Sequence, residues 1–348
     1  MPISVVVGGQ FGSEGKGKVA HFLAKEKQVH FAVRVGGTNS GHTVIDSSGK
    51  AVVFRHLPTA CLLQNVVSVI PPGSYLHVPT LLAEINCIGV HSRIAVDPVA
   101  WVIEDRDVQT ESHAGLTHAI GSTGTGTGAA LIRRIKRSER GTFAKDVPQL
   151  QSYLKETNEL LSNAIRNQQR ILVEGTQGFG LSLLHSRLYP YCTSRDTVAA
   201  AFVAEAGLSP IDVDEIVLVI RSFPIRVAGE SGPFPHEINW ETITYESGYS
   251  ERVIEYTSVT NKVRRVARFD PKLVKRAIAH NRPTSIVLNH LDYVDSVCAR
   301  EDRPTKRALD FVREIESAIG ERLTFLGLSP SSLVRRDLTV RKVGTGER

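Results

Sequence analysis

Short runs that are apolar at nearly every position alternate along this chain with segments whose apolar residues recur every three or four positions. Ile3–Val7, Val29–Val35, Ala51–His56, Arg170–Glu174, Glu215–Arg221 and Thr284–Asn289 read as strands, and several of them have no polar face. A strand apolar on both faces is covered on both, which is the signature of a buried, largely parallel sheet. Between them, Lys16–Lys27, Pro79–Ile88, Gln149–Gln168, Pro271–Asn281 and Lys306–Ile319 read as helices. In the last, Ala308, Phe311, Val312, Ile315 and Ile319 make one stripe, which is core packing. No internal repeat, low-complexity tract or long Pro/Gly/Ser linker breaks the pattern. The expectation is an α/β fold: one domain, 1–348, with a central, mostly parallel β-sheet flanked by helices, a P-loop-like phosphate loop and large functional loop insertions.

The first strand opens directly into Gly8-Gly9-Gln10-Phe11-Gly12-Ser13-Glu14-Gly15-Lys16-Gly17-Lys18. Glycines let the backbone bring its N–H groups close to an anion, a following helix N-terminus adds dipole charge, and lysines neutralise phosphate oxygens. The spacing is neither G-x-x-x-x-G-K-[ST], which needs Ser or Thr at Gly17, nor G-x-G-x-x-G. The plain alternative is a glycine-rich turn with two solvated lysines. Stretches Gly36–Thr43, Gly121–Gly128, Ala228–Glu237 and Tyr256–Arg268 are also rich in Gly, Thr, Asn and basic residues, and loops of that length are usually functional.

Composition narrows the classes. The chain has 348 residues, 41% of them hydrophobic, too many for disorder. Lys and Arg number 42 against 36 Asp and Glu, giving +6. That balance suits anionic partners, and a nucleotide satisfies it as well as nucleic acid would. The basic residues sit among glycine loops without interleaved aromatics, which argues against direct nucleic-acid binding. No apolar run approaches membrane-spanning length and no charged signal-peptide start precedes one, so no membrane is involved and a cytoplasmic location is expected. Cys61, Cys87, Cys192 and Cys298 are far apart and read as reduced, mostly buried thiols.

Three further segments carry chemistry. Val35-Gly36-Gly37-Thr38-Asn39-Ser40-Gly41-His42-Thr43 sets an imidazole among small residues, where it can act as acid or electrostatic clamp, or simply be structural. Gly121-Ser122-Thr123-Gly124-Thr125-Gly126-Thr127-Gly128 alternates hydroxyls with free N–H groups as a second anion nest, followed by Arg133, Arg134, Lys136, Arg137 and Arg140. For that basic run a solvated helix face is the alternative. Glu174-Gly175-Thr176-Gln177-Gly178 leaves a strand and presents an amide that can face a carbonyl or a developing oxyanion. Two anion sites plus an amide suggest a mononucleotide beside a nucleoside triphosphate.

Taken with Tyr189-Pro190-Tyr191-Cys192-Thr193-Ser194, Gly232-Pro233-Phe234-Pro235-His236-Glu237, the basic loop near Arg264 and Asn289-His290-Leu291-Asp292, these segments resemble the adenylosuccinate synthetase family over nearly the whole length. That family joins aspartate to the 6-position of a purine monophosphate using a nucleoside triphosphate. The resemblance implies that Gly12, Glu14, Gly15, Lys16, Gly17, Lys18, Gly41, His42 and Thr43 hold the triphosphate, together with Arg264, Asn289 and Asp292. It assigns the purine monophosphate to Ser13, Asn39, Ser122, Thr123, Gln177 and Thr193, and to Arg137, which matches an arginine lent by a neighbouring subunit and so implies a homodimer. Val259, Thr260, Lys262 and Arg264 fall in the family's aspartate loop, where cations pair with the carboxylates of L-aspartate. Mg²⁺ is the implied cofactor, against Gly41 and Ser13. In the implied chemistry the 6-oxo group is phosphorylated once N1 loses its proton, and the aspartate amine then displaces the phosphate. Ser13, Lys16, His42 and Gln177 form the implied catalytic set.

The chain departs from the family at Ser13, where a carboxylate that takes the N1 proton and touches the metal is usual. Shortening that side chain makes room beside N1 for a 2-amino group, as in the viral branch that makes N6-succino-2-amino-2'-deoxyadenylate from dGMP. Asn289-His290-Leu291-Asp292 also lacks the lysine that packs on guanine, which points to ATP as donor in place of GTP. Val259-Thr260-Asn261-Lys262 replaces T-T-G-R, and Lys262 keeps the charge without the bidentate fork. Three readings remain: a dGMP-using ligase, an ordinary adenylosuccinate synthetase using IMP and GTP, and a catalytically silent nucleotide-binding regulator.

Overall fold

Nine strands form the central sheet of the computed structural model, which describes residues 2–257 and 261–336. In chain order they are β1 (Ile3–Gly8), β2 (Phe31–Arg34), β3 (Val67–Ile70), β4 (Ile94–Val96), β5 (Ile171–Glu174), β6 (Val213–Arg221), β7 (Ser285–Asn289), β8 (Phe325–Gly327) and β9 (Leu333–Arg335). Across the sheet the order is β9-β8-β7-β6-β1-β5-β2-β3-β4. Every adjacent pair is parallel except β8 with β9. The α/β architecture expected from the sequence, a mostly parallel sheet flanked by helices, is the one the chain adopts.

The apolar runs are continuous because both faces are covered. Val5 and Val7 of β1 pack with Val173, Phe202, Leu218, Val274 and Val312 on one side. Val6 turns to the other face, where Leu172, Val217 and Val287 meet Val19, Ala20 and Leu23 of the helix Lys16–Glu26. The helices Pro271–Asn281 and Lys306–Ile319 have the boundaries that the sequence implies, the latter started by Thr305 Oγ1, which accepts from Ala308 N at 3.2 Å. Among the described residues no helix is long and apolar enough to cross a membrane.

Three expectations change. Ala51–Phe54 leaves the sheet and pairs antiparallel with His42–Ile45 as a separate hairpin, because its exposed Ala51 and Val53 give it one buried face at most. The single helix expected over Gln149–Gln168 is two elements, a 3₁₀ turn Pro148–Tyr153 and a helix Thr157–Arg166. The Asp97 carboxylate restarts it by accepting from Thr157 Oγ1 at 2.6 Å. Of the cysteines, Cys61 and Cys298 are buried thiols, but Cys87 is exposed and Cys192 half-buried. Residues 337–348 of the expected domain lie outside the described residues.

The carboxyl ends of β1, β2, β5, β6 and β7 all open on one edge of the sheet, and the loops that leave them converge there. Close packing behind that edge constrains the loops. A Cβ on Gly175, the residue after β5, would stand 2.3 Å from Phe202 Cε2 and 2.7 Å from the Val6 carbonyl oxygen. Ring and strand are both fully buried, so Gly175→Ala is expected to destabilise the fold by about 1–3 kcal/mol. The measurement is urea unfolding, with a lower midpoint at an unchanged m-value.

Candidate active site

The loop after β1 is shaped by its own acid. Gly12, Ser13 and Gly15 take positive φ of 83°, 57° and 86°, and Gly15 starts the helix Lys16–Glu26. The fully buried Glu14 carboxylate accepts from Gln10 N at 3.0 Å and Gly12 N at 2.8 Å, and pairs with Lys16 Nζ at 2.7 Å. Lys16 also donates to the Gln177 carbonyl, which ties the loop to the one after β5. Beneath, Asn289 Nδ2 donates to the Glu14 carbonyl at 2.7 Å. A Cβ on Gly15 would lie 2.7 Å from that nitrogen, so only glycine fits. Lys18 Nζ holds the carbonyls of Ser329 and Ser332 at 2.8 and 3.2 Å, and burial lowers its ammonium to about 8.

His42, at the start of the hairpin, is buried against a carboxylate at the end of β5. Its Nδ1 lies 2.5 Å from Glu174 Oε1, which Arg34 Nη1 shares at 2.8 Å. Glu174 Oε2 accepts from Thr59 N and Oγ1 at 2.8 and 2.9 Å. Burial would raise the Glu174 carboxyl, but the hydrogen bond from His42, then the Arg34 charge and the Thr59 N–H, hold it below its ordinary value. Burial and the Arg34 charge push the imidazole down to about 3, so it is neutral at pH 7. The carboxylate acceptor keeps the proton on Nδ1. Nε2 is buried and has no hydrogen-bond partner among the described residues.

These loops enclose a cavity of about 420 Å³. Of the residues expected at the triphosphate, Gly12, Gly15, Lys16, Gly17, Lys18, Gly41, His42, Thr43 and Arg264 line it. Glu14 does not, because its oxygens are committed within the loop. Asn289 is fully buried below it, and Asp292 sits behind it, accepting from the Tyr249 hydroxyl at 3.1 Å, with burial raising its carboxyl to about 6. His290 and Pro330 reach the wall instead.

Of the residues expected at the monophosphate, Ser13, Asn39, Ser122, Thr123, Gln177 and Thr193 line the same cavity. Asn39 Nδ2 stands 3.5 Å from Thr193 Oγ1 and Gln177 Nε2 3.5 Å from the Asn39 carbonyl, long contacts that a ligand can replace. The expected second anion nest is partly filled: the Glu111 carboxylate accepts from Gly126 N, Gly128 N and Ala129 N at 2.9, 2.7 and 3.3 Å. The basic run that follows is also drawn elsewhere. Arg133 is paired with Asp107 and Glu104, Arg134 donates to the Pro72 carbonyl, and Arg140 meets Asp146. Arg137 is exposed, in left-handed backbone (φ 53°) at the end of the helix Thr127–Lys136, and does not line its own chain's cavity.

Lys262 and Arg264 line the cavity on its far side, while Val259 and Thr260 lie outside the described residues. Arg264 Nε donates to the Tyr256 carbonyl at 3.0 Å and stands 3.9 Å from Glu255 Oε2. Among the described residues no cluster of three or more His, Cys, Asp or Glu side chains could cage a metal. The acids at or beneath the loops are committed: Glu14, Glu174 and Glu255 are paired with Lys16, Arg34 and Arg221, and Glu111, on the cavity wall, accepts from Gly126 N and Gly128 N. What remains, Ser13 and the backbone at Gly41, suits Mg²⁺, which keeps several waters and is usually held through substrate phosphates.

Arg34, Glu174 and Arg221 were not singled out by their position in sequence, yet they organise the site. Each is the charged residue that ends both its strand and an apolar run, a signal carried by Phe31-Ala32-Val33-Arg34, Ile171-Leu172-Val173-Glu174 and Ile216-Val217-Leu218-Val219-Ile220-Arg221. Glu111 and Glu255 carry no comparable local sign.

The adenylosuccinate synthetase family model matches residues 5–147 and 141–299. An adenylosuccinate synthetase of Methanococcus maripaludis is 37% identical over 98% of this chain and 100% of its own length. One from Methanocaldococcus jannaschii is 34% identical over 94% of each. Among solved structures, the succinoaminodeoxyadenylate synthetase of cyanophage S-2L, bound to dGMP and to dATP as an energy donor, has a TM-score of 0.83 at 27% identity, covering 98% of both chains. The fully ligated adenylosuccinate synthetase of Plasmodium falciparum, at 19% identity, has the same fold, with a TM-score of 0.84 over 97% of this chain and 100% of that one.

The depressed imidazole makes a prediction with a definite sign. Unfolded, His42 protonates near 6.5, and folded near 3, so its contribution to stability is intact above about pH 6.5 and is lost as pH falls toward 3. Glu205 and Asp292, raised to about 7 and about 6, act in the opposite sense in the same window. The comparison is therefore between the wild type and His42→Asn. From pH 7 to pH 5, urea melts of the unliganded wild type should lose more stability than those of the variant. Equal losses would mean that folding leaves the protonation of the imidazole unchanged, and a smaller loss in the wild type that the folded imidazole is already charged.

Proposed function

Since the chain belongs to the adenylosuccinate synthetase family, C–N ligases acting on a purine nucleotide plus aspartate, we propose that its nucleotide substrate is dGMP. With L-aspartate and ATP the products are N6-succino-2-amino-2'-deoxyadenylate, ADP and phosphate. The observation that carries this reading is Ser13 on the cavity wall, in the loop position where the family resemblance expects a carboxylate. Serine is shorter by a carbonyl and leaves room for the 2-amino group of guanine. Support comes from the cyanophage S-2L enzyme, which binds dGMP and dATP. His290 and Pro330 at the wall, with Asp292 behind the Tyr249 hydroxyl, favour adenine over guanine in the donor.

The residues divide the work as follows. Lys16 and Lys18 bind the triphosphate, and its negative charge beside Nε2 favours protonation of His42 there, while Nδ1 keeps its proton and donates it in a hydrogen bond to the Glu174 carboxylate. The imidazolium then stabilises the γ-phosphoryl group as it moves to the 6-oxygen, while the Gln177 amide stabilises that oxygen. Ser13 and the Gly41 carbonyl would hold Mg²⁺ brought in with the triphosphate, which would supply further charge neutralisation. Lys262 and Arg264 bind the aspartate carboxylates, with Val259 and Thr260 in the same loop, and orient the amine for displacement of the phosphate. Asn39, Ser122, Thr123 and Thr193 hold the monophosphate. The chain, 1–348, acts as one domain in a homodimer that lends Arg137 across the interface. The surface position of Arg137, beside the exposed Ile132 and Ile135, supports that arrangement.

A second reading, use of IMP with GTP, is favoured by the names of the archaeal relatives. Phosphate release with Mg²⁺ and L-aspartate, comparing dGMP, GMP and IMP with either ATP or GTP, separates the two, with mass detection of the succinylated product. Turnover with dGMP and ATP is expected, and turnover with IMP alone overturns the proposal. Ser13→Asp is expected to lower kcat/KM for dGMP about 10- to 100-fold relative to IMP by refilling the space beside N1.

A further inference from the structure

The end of β6 carries an arginine that touches two loops at once. Arg221 is fully buried, and its Nη1 donates to the Ser13 carbonyl at 2.9 Å. The same nitrogen stands 3.3 Å from Glu255 Oε2, and Nη2 pairs with Glu255 Oε1. Its backbone is clamped to the phosphate loop as well, with Arg221 N donating to Gln10 Oε1 at 2.9 Å and Gln10 Nε2 donating to the Arg221 carbonyl at 3.2 Å. A fully buried guanidinium is tolerated only with a charged partner, and here that partner is Glu255. Burial would raise the Glu255 carboxyl, but Arg221 above all draws it down to about 2, so the pair is ionic throughout the working range.

Glu255 also belongs to the other side of the cavity. It leads into the segment that carries Lys262 and Arg264, and its carbonyl accepts from Arg264 N at 2.9 Å. Its Oε2 stands 3.9 Å from Arg264 Nε, and the Tyr293 hydroxyl donates to Oε1 at 3.0 Å. One carboxylate is thus shared between two arginines, one gripping the backbone of the phosphate loop and one lining the cavity. A dicarboxylate ligand that draws Arg264 toward itself leaves Glu255 wholly to Arg221, and so firms the hold on Ser13.

We infer that Arg221 and Glu255 are a positioning pair that couples the phosphate loop to the Lys262–Arg264 segment, so that nucleoside triphosphate and L-aspartate favour one another's binding. The inference rests on the ligase reading of the cavity. Coupling of this kind is reciprocal, and a factor of roughly 5 or more is the usual scale.

The test is calorimetric binding of a non-hydrolysable ATP analogue to the full chain with Mg²⁺ and dGMP, with and without saturating L-aspartate. The wild type should bind the analogue at least about fivefold more tightly with aspartate present. Glu255→Gln keeps the shape and the Tyr293 contact but loses the charge, and should bring that ratio to within about twofold of unity. Tyr293→Phe leaves both arginines paired, and guards against a Glu255→Gln chain that does not fold. It should lower the ratio partway, with KM for aspartate rising while kcat stays near that of the wild type. Aspartate binding without coupling in the wild type, or coupling that both variants retain in full, overturns the inference alone. No aspartate binding under any condition overturns both the inference and the ligase reading.

Discussion

Everything at the carboxyl edge of the sheet depends on the buried carboxylate of Glu174. It is the last residue of β5, beside β2, and it compensates the Arg34 charge, fixes the imidazole of His42 and takes both donors of Thr59. Those partners come from three separate stretches of chain, so one side chain sets the distance between the sheet and the loops before and after the hairpin. Without it a guanidinium would be left buried and unpaired, a change that costs several kcal/mol. The ionic core of the site is therefore also part of the core of the fold.

The same solution recurs around the cavity. Glu14 occupies loop amides and the Lys16 ammonium, Glu111 occupies the amides that start the helix Thr127–Lys136, and Glu255 occupies Arg221. Each stands where an anionic ligand would be expected to bind. The protein thus neutralises much of its own positive edge before any substrate arrives, which keeps buried cations from standing alone. Ligand anions add to this network, and the lysines and arginines that face the cavity while holding internal partners are the ones that can respond.

Much of this could be read from the chain, and the failures have physical causes. The run Ile3–Val7 and the glycine loop after it are legible because a doubly covered strand is apolar at every position and a tight turn needs glycine. The last two strands at one end of the sheet, Val67–Ile70 and Ile94–Val96, are too short to show a period. Gly121–Gly128 reads as an empty nest because the acid that fills it, Glu111, lies on an earlier helix, and spacing within the loop cannot reveal it. Asn289 and Asp292 sit in a motif that suggests direct contact with a base, yet one supports the phosphate loop and the other faces a tyrosine. Local pattern identifies a residue's neighbourhood, whereas the direction of its side chain is settled by partners distant in sequence.

The strand order has a consequence for how the protein comes into being. β1 is made before its neighbours β5 and β6, so Ile3 waits to pair with Ile171 and Val213. Contacts so remote along the chain are slow to close and are made late in folding. On the ribosome the loop after β1 is exposed long before the strands that support it exist, and the nascent chain relies on keeping an apolar strand made early from straying. The glycine loop after β1, although made well before the strands beside it, is among the last parts to take its final shape.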